Sequence, residues 1–189
     1  TFAGGFFAVC WTDFFQGMLM FFCVVAVPCI AISQMGGPGD FISSVEAFNP
    51  NFLSMMVDGA TNQPYTALGI VSLIAWGLGY FGMPHILLRF MAIEDEKKLV
   101  LSRRIATVWV VIAMAASIVI GMVGLGMTRV GALEFLSGSS SETLIVRIAS
   151  LISQHGVLAA VLAGLILAGI LAATMSTADS QLLAAAYSV

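Results

Sequence analysis

Ala173, Ser176, Thr177 and Ser180 stand near the end of an otherwise apolar run. At about 100° per residue they share one helical face, with Asp179 at its edge. Such a helix offers two or three hydroxyls, one carboxylate and a backbone carbonyl along one stripe. These are hard oxygen ligands of the kind a small hard cation such as Na⁺ takes, and neutral oxygens suit a cation that must leave again. A structural account competes: Ser and Thr hydroxyls bond back to the preceding turn and let helices pack closely. Asp179 weighs against it, because an Asp at mid-membrane costs about 2.5–3.5 kcal/mol on insertion scales. Asp13 and Gln16, one turn apart, form a second place where oxygens could converge on a cation. The same pair fits a capping box, with Asp13 as N-cap and Gln16 three residues on.

A different pattern runs through Trp76-Gly77-Leu78-Gly79-Tyr80-Phe81-Gly82-Met83-Pro84. Each Gly weakens a helix by about 1 kcal/mol and an interior Pro by about 3. A kinked or discontinuous helix is expected. Transporters place such breaks where freed backbone groups bind solute. Trp76, Tyr80 and Pro84 are spaced by four, so they share a face with aromatic walls and a hydroxyl. The alternative is a glycine-lined packing seam with aromatics in the core. His85 and His155 are isolated, and His85 reads as a packed, hydrogen-bonded histidine. Cys10, Cys23 and Cys29 all lie in one apolar stretch and read as reduced thiols. No metal-ligand spacing, phosphate loop or Ser–His–Asp arrangement is visible, so neither an enzyme nor a cofactor is expected.

The elements that carry these residues follow from composition. The 189 residues are 60% hydrophobic and only 9% charged, with a mean hydropathy of +1.04. A soluble domain is about 25% charged. A soluble globular protein, a disordered chain and a nucleic-acid binder are excluded, and an all-α polytopic membrane protein remains. The net charge of −3 says little, because the charges are so unevenly placed. Four stretches reach the roughly 20 apolar residues a bilayer span needs: about 14–35, 66–93, 102–127 and 156–189. Pro28 is expected to kink the first. Gly36-Gly37-Pro38-Gly39 ends it, and residues 40–48 and 142–154 suggest short interfacial helices. Of the seven Lys and Arg, Arg89, Lys97, Lys98, Arg103 and Arg104 surround the second connection. The positive-inside rule makes the loop 94–101 cytoplasmic and the loops 36–65 and 128–155 extracytoplasmic. The chain opens on Thr1 and is still apolar and helical at Val189, so it is expected to be a partial membrane domain cut at both ends.

The stretch from Ala75 through Gly82, then Pro84-His85-Ile86-Leu87 and Arg89-Phe90-Met91-Ala92, resembles the sodium/solute symporter family, and within it the sodium/proline symporters. Gly4-Gly5-Phe6, Ala8-Val9 and the stretch from Trp11 to Gly17 resemble the same proteins. So do Ile170-Leu171-Ala172-Ala173 and Met175-Ser176-Thr177. The resemblance implies two inverted repeats of five helices, with this chain holding the last helix of the first repeat and the first three of the second. It implies a principal sodium site at the Ala173 carbonyl and the Ser176 and Thr177 hydroxyls. Other ligands would come from a core helix outside this chain. Solute would meet Trp76, Tyr80 and Pro84. A further cation site would gather at Asp13, joined by Gln16, Asp179 and Ser180. Proline carriers have Gln before this Pro, whereas Met83 stands here and adjoins the solute site.

The function so implied is sodium-coupled import of proline across the plasma membrane by alternating access. No cofactor is implied; Na⁺ is the coupling ion, and the partners are the solute and the lipid bilayer. Met83 keeps open another solute: a different amino acid, a sugar, pantothenate or a monocarboxylate. A symporter-like membrane part of a sensor is a further alternative, and an intramembrane enzyme the most remote.

Overall fold

The computed structural model describes residues 4–47, 51, 54–58 and 61–187, with the side chains of Trp76 and Phe81 outside that set. The described residues form seven α-helices: α1 (Gly5–Gln34), α2 (Pro38–Glu46), α3 (Ala67–Gly79), α4 (Pro84–Met91), α5 (Glu96–Arg129), α6 (Leu144–Ser153) and α7 (Val157–Tyr187). Two short 3-10 stretches, Tyr80–Gly82 and Gly138–Thr143, precede α4 and α6. α1, α5 and α7 are each long and apolar enough to cross a membrane. α3 and α4 are each too short; only counted together as one unit, bent by 54°, are they long and apolar enough to be a fourth.

The bend lies where the glycines and Pro84 weaken the helix. Pro84 disfavours the helical backbone at the residue before it, and Met83 is extended at φ −74° and ψ 119°. Pro84 then opens α4, where its missing N–H costs nothing. α1 stops just as abruptly: Gly36 and Gly37 take φ of +98° and +115°, which a β-carbon disfavours, and Pro38 opens α2.

Two boundaries differ from the sequence reading. α1 begins at Gly5, so Asp13 sits about two turns inside it and is no N-cap. Nothing between Phe6 and Thr12 breaks a helix, and the hydrogen-bond ladder runs upstream. α5 begins at Glu96, because the Asp95 carboxylate accepts the Lys97 N–H at 3.0 Å. Most of the expected 94–101 loop is therefore helix. α1 also continues through Pro28 without interruption. Of the expected segments, positions 1–3, 48–50, 52, 53, 59, 60, 188 and 189 lie outside the described residues.

α1 and α7 form the most extensive pairing. They run antiparallel: Cys23 Sγ donates to the Leu165 carbonyl at 3.2 Å, while Ser180 reaches back to Asp13. The helices touch at Gly169, where a β-carbon would stand 2.9 Å from Cys23 Sγ. Spans in lipid have little hydrophobic drive to associate, so close approach at small residues matters. α5 runs parallel to α1. Phe21 stacks on Trp109 at 5.6 Å, and Met35 lies against Gly126 at the far end. The buried core gathers at that far end, where Phe41 and Val45 of α2 and Ile148 and Ile152 of α6 close over the spans. α4 buries no residue.

Candidate cation and solute site

The last turns of α7 carry the predicted oxygen stripe. Ala173 is half-buried and lines an apolar cavity of about 260 Å³ between α1, α5 and α7, beside Cys23 and Gly169. The Thr177 hydroxyl donates to the Ala173 carbonyl at 3.1 Å, so these two oxygens are neighbours. This is also the back-bonding that the structural account anticipates. Ser176 is half-buried and its carbonyl accepts the Ser180 hydroxyl at 2.9 Å. Asp179 is half-buried on the same turn.

Ser180 is buried and joins α7 to two other helices. Arg89 Nη2 of α4 donates to Ser180 Oγ at 2.7 Å and makes an ion pair with Asp13 Oδ2 of α1. The single Ser180 proton has two acceptors in reach, the Ser176 carbonyl and Asp13 Oδ2 at 3.2 Å. The Asp13 side chain is 13% exposed and the Arg89 side chain 49%. Gln16 follows Asp13 by one turn on the same face. Asp13 Oδ1 and Gln16 Oε1 are both buried, with no hydrogen-bond partner among the described residues. Two of the four residues expected at a second cation site, Asp13 and Ser180, are thus in contact, with Gln16 beside them.

Arg89 is the participant that sequence reasoning missed. The sequence reading uses it as a basic residue marking orientation and as part of the family resemblance, not as a site residue. A usable signal existed: Arg89 lies among Leu87, Leu88, Phe90 and Met91 in an apolar stretch, and a charge there calls for a counter-ion.

The expected solute residues are placed differently. Tyr80 is 51% exposed and faces a groove of about 490 Å³ between the bent α3–α4 unit and α5, shared with Phe90 and Arg103. Met83 and Pro84 are exposed at the break itself. Trp76 is on α3, with its side chain outside the described set. Tyr80 and Ala173 line different cavities. Among the described residues no group of three or more His, Cys, Asp or Glu side chains could hold a metal ion.

Comparison with known proteins adds an independent finding. Residues 1–189 match the sodium:solute symporter family. The osmoregulated proline transporter OpuE of Bacillus subtilis (strain 168) is 39% identical over all 189 residues, which cover 36% of its length. The high-affinity proline transporter PutP of the same organism is 34% identical over the whole chain, covering 37% of its length. The sodium/proline symporter 2 of Staphylococcus saprophyticus is 36% identical over the whole chain, covering 34% of its length. The chain therefore spans little more than a third of the relatives it matches. No solved structure matches it.

Proposed function

Because the chain belongs to the sodium:solute symporter family, we propose that it forms part of a sodium-coupled carrier that imports proline across the plasma membrane by alternating access. The observation that carries this reading is full-chain similarity to proteins named as proline transporters. The geometry supports it through the broken α3–α4 crossing and the oxygen stripe on α7.

In this reading residues 1–189 are a partial transporter domain, the fifth to eighth helices of a five-plus-five inverted-repeat core. Ala173, Ser176 and Thr177 contribute to the principal sodium site. The Thr177 hydroxyl gives its proton to the Ala173 carbonyl and keeps its lone pairs for a cation. Asp13, Gln16, Asp179 and Ser180 form a second cation site. Trp76, Tyr80, Met83 and Pro84 meet the solute, at the break where the backbone leaves its helical ladder. The connection between α4 and α5 is cytoplasmic, because the basic residues cluster there.

Sodium enters from outside and favours the outward-open, solute-binding form. Solute and sodium strengthen each other's binding, and that reciprocal linkage is the coupling. The membrane potential supplies about 2.3 kcal/mol per charge per 100 mV.

Radiolabelled proline uptake into vesicles bearing the full-length protein tests this reading. Uptake is expected to require an inward sodium gradient and to collapse in the Ser176→Ala/Thr177→Ala variant. Sodium-driven uptake of a different solute would keep the mechanism and reassign the specificity to positions such as Met83. Uptake indifferent to sodium would sink the reading.

A further inference from the structure

We propose that Arg89 is a tethered counter-ion at Asp13, which an incoming cation displaces, so that cation binding there frees α4 from α1 and α7. This rests on the sodium-coupled reading above and adds the residue with which the cation competes.

Asp13 and Arg89 are 76 positions apart and meet only because α1, α4 and α7 converge. The Asp13 carboxylate is largely buried, and taking such a charge out of water is costly without a neutralising partner. Arg89 supplies that charge and ties α4 to Ser180 with the same nitrogen.

Arg89 engages only one side of the carboxylate. Asp13 Oδ1 and Gln16 Oε1 stay buried and unpartnered among the described residues. Buried polar atoms in native proteins are rarely left unsatisfied. These two lie one turn apart on α1 and supply one charged and one neutral oxygen, with the Ser180 hydroxyl against the other Asp13 oxygen. That set suits a small monovalent cation.

A cation at these oxygens would put two positive charges beside one carboxylate. Two like charges held at one carboxylate repel each other, which favours the departure of one of them. The guanidinium is the charge able to leave, because the Arg89 side chain is half exposed and its long stem can carry the head group to water. α4 buries no residue and joins α3 through the weak 3-10 stretch. Losing the ion pair therefore removes its principal polar tie to α1 and α7. Cation arrival at Asp13 becomes motion of the broken crossing.

Linkage makes the proposal testable, since a group that a cation must displace weakens that cation's binding by the same factor. The experiment measures the sodium dependence of proline uptake by the full-length protein in vesicles, for wild type, Arg89→Gln and Arg89→Lys. Arg89→Gln is expected to lower the half-saturating sodium concentration by about fivefold, the worth of a partly exposed ion pair. Arg89→Lys, which keeps the charge, should stay near wild type. An unchanged or raised half-saturating concentration in Arg89→Gln overturns the proposal and marks Arg89 as a structural tie.

Amide hydrogen exchange on the wild-type protein keeps the test open if Arg89→Gln fails to reach the membrane. Exchange within Pro84–Met91 should be faster in sodium than in choline, and equal or slower exchange overturns the proposal. The two readings fail separately. A wild type indifferent to sodium sinks the coupled reading and this proposal together, whereas a sodium-dependent wild type with an unshifted Arg89→Gln sinks this proposal alone.

Discussion

Gly169 sets how closely α7 approaches α1. Its missing side chain makes room for Cys23, whose Sγ and Cβ would stand 2.9 and 3.2 Å from an added β-carbon. Gly169→Val should therefore overpack the seam, at about 1–3 kcal/mol. The expected outcome is a lower melting temperature of the purified full-length protein. Much of that loss should return when Cys23→Ala removes the sulfur, since residues in contact do not act additively. A Gly169→Val protein that melts with wild type would show that the two helices separate without cost. Ser180 and Asp13 were visible as polar residues in apolar runs. Their meeting with Arg89 was not, because it joins positions 76 and 167 residues apart.

At the level of elements, the broken crossing has a local origin. Gly79 ends α3, Gly82 ends the 3-10 stretch, and Met83 is extended ahead of Pro84. Replacing Gly79 and Gly82 with Ala would strengthen the helix by about 1 kcal/mol at each position. If the break works as a hinge, the double variant should reach the membrane in normal amount yet lose about tenfold or more of its sodium-driven uptake, as changes at hinges do. Uptake measured beside membrane abundance checks this, and full uptake would make the break passive. This break was legible in the sequence because Gly and Pro act on their own backbone. The helix starts were less legible. Span-length arithmetic began the first crossing at position 14, whereas α1 starts at Gly5 because no residue there stops the ladder.

Over the whole molecule, α1 and α5 run one way and α7 the other, as consecutive crossings of a bilayer require. Burial is lopsided. The core lies where α2 and α6 close over the spans, while Leu68, Leu73 and Ile74 of α3 and Leu101, Ile105 and Val111 of α5 are exposed. Residues 1–189 cover 34–37% of the relatives described above. Expressed by themselves, they are expected to give no sodium-driven uptake, measured beside the full-length protein. Uptake equal to the full-length protein's would place the whole pathway within these residues.

Composition alone settled the membrane class, and apolar run length located the three long apolar helices and the bent α3–α4 pair, because both depend on transfer of local segments out of water. Glycine and proline placement settled the break, because backbone preference is local. The Lys and Arg distribution is the basis of the proposed direction of threading. Tertiary structure alone decided which oxygens of α7 meet α1. It placed Tyr80 in a groove apart from the cavity that Ala173 lines and set Arg89 against Asp13 and Ser180. The physical reason is range: a helix specifies its own turns through contacts three and four residues apart, whereas an ion pair between helices forms only when the packing of separate segments brings them together.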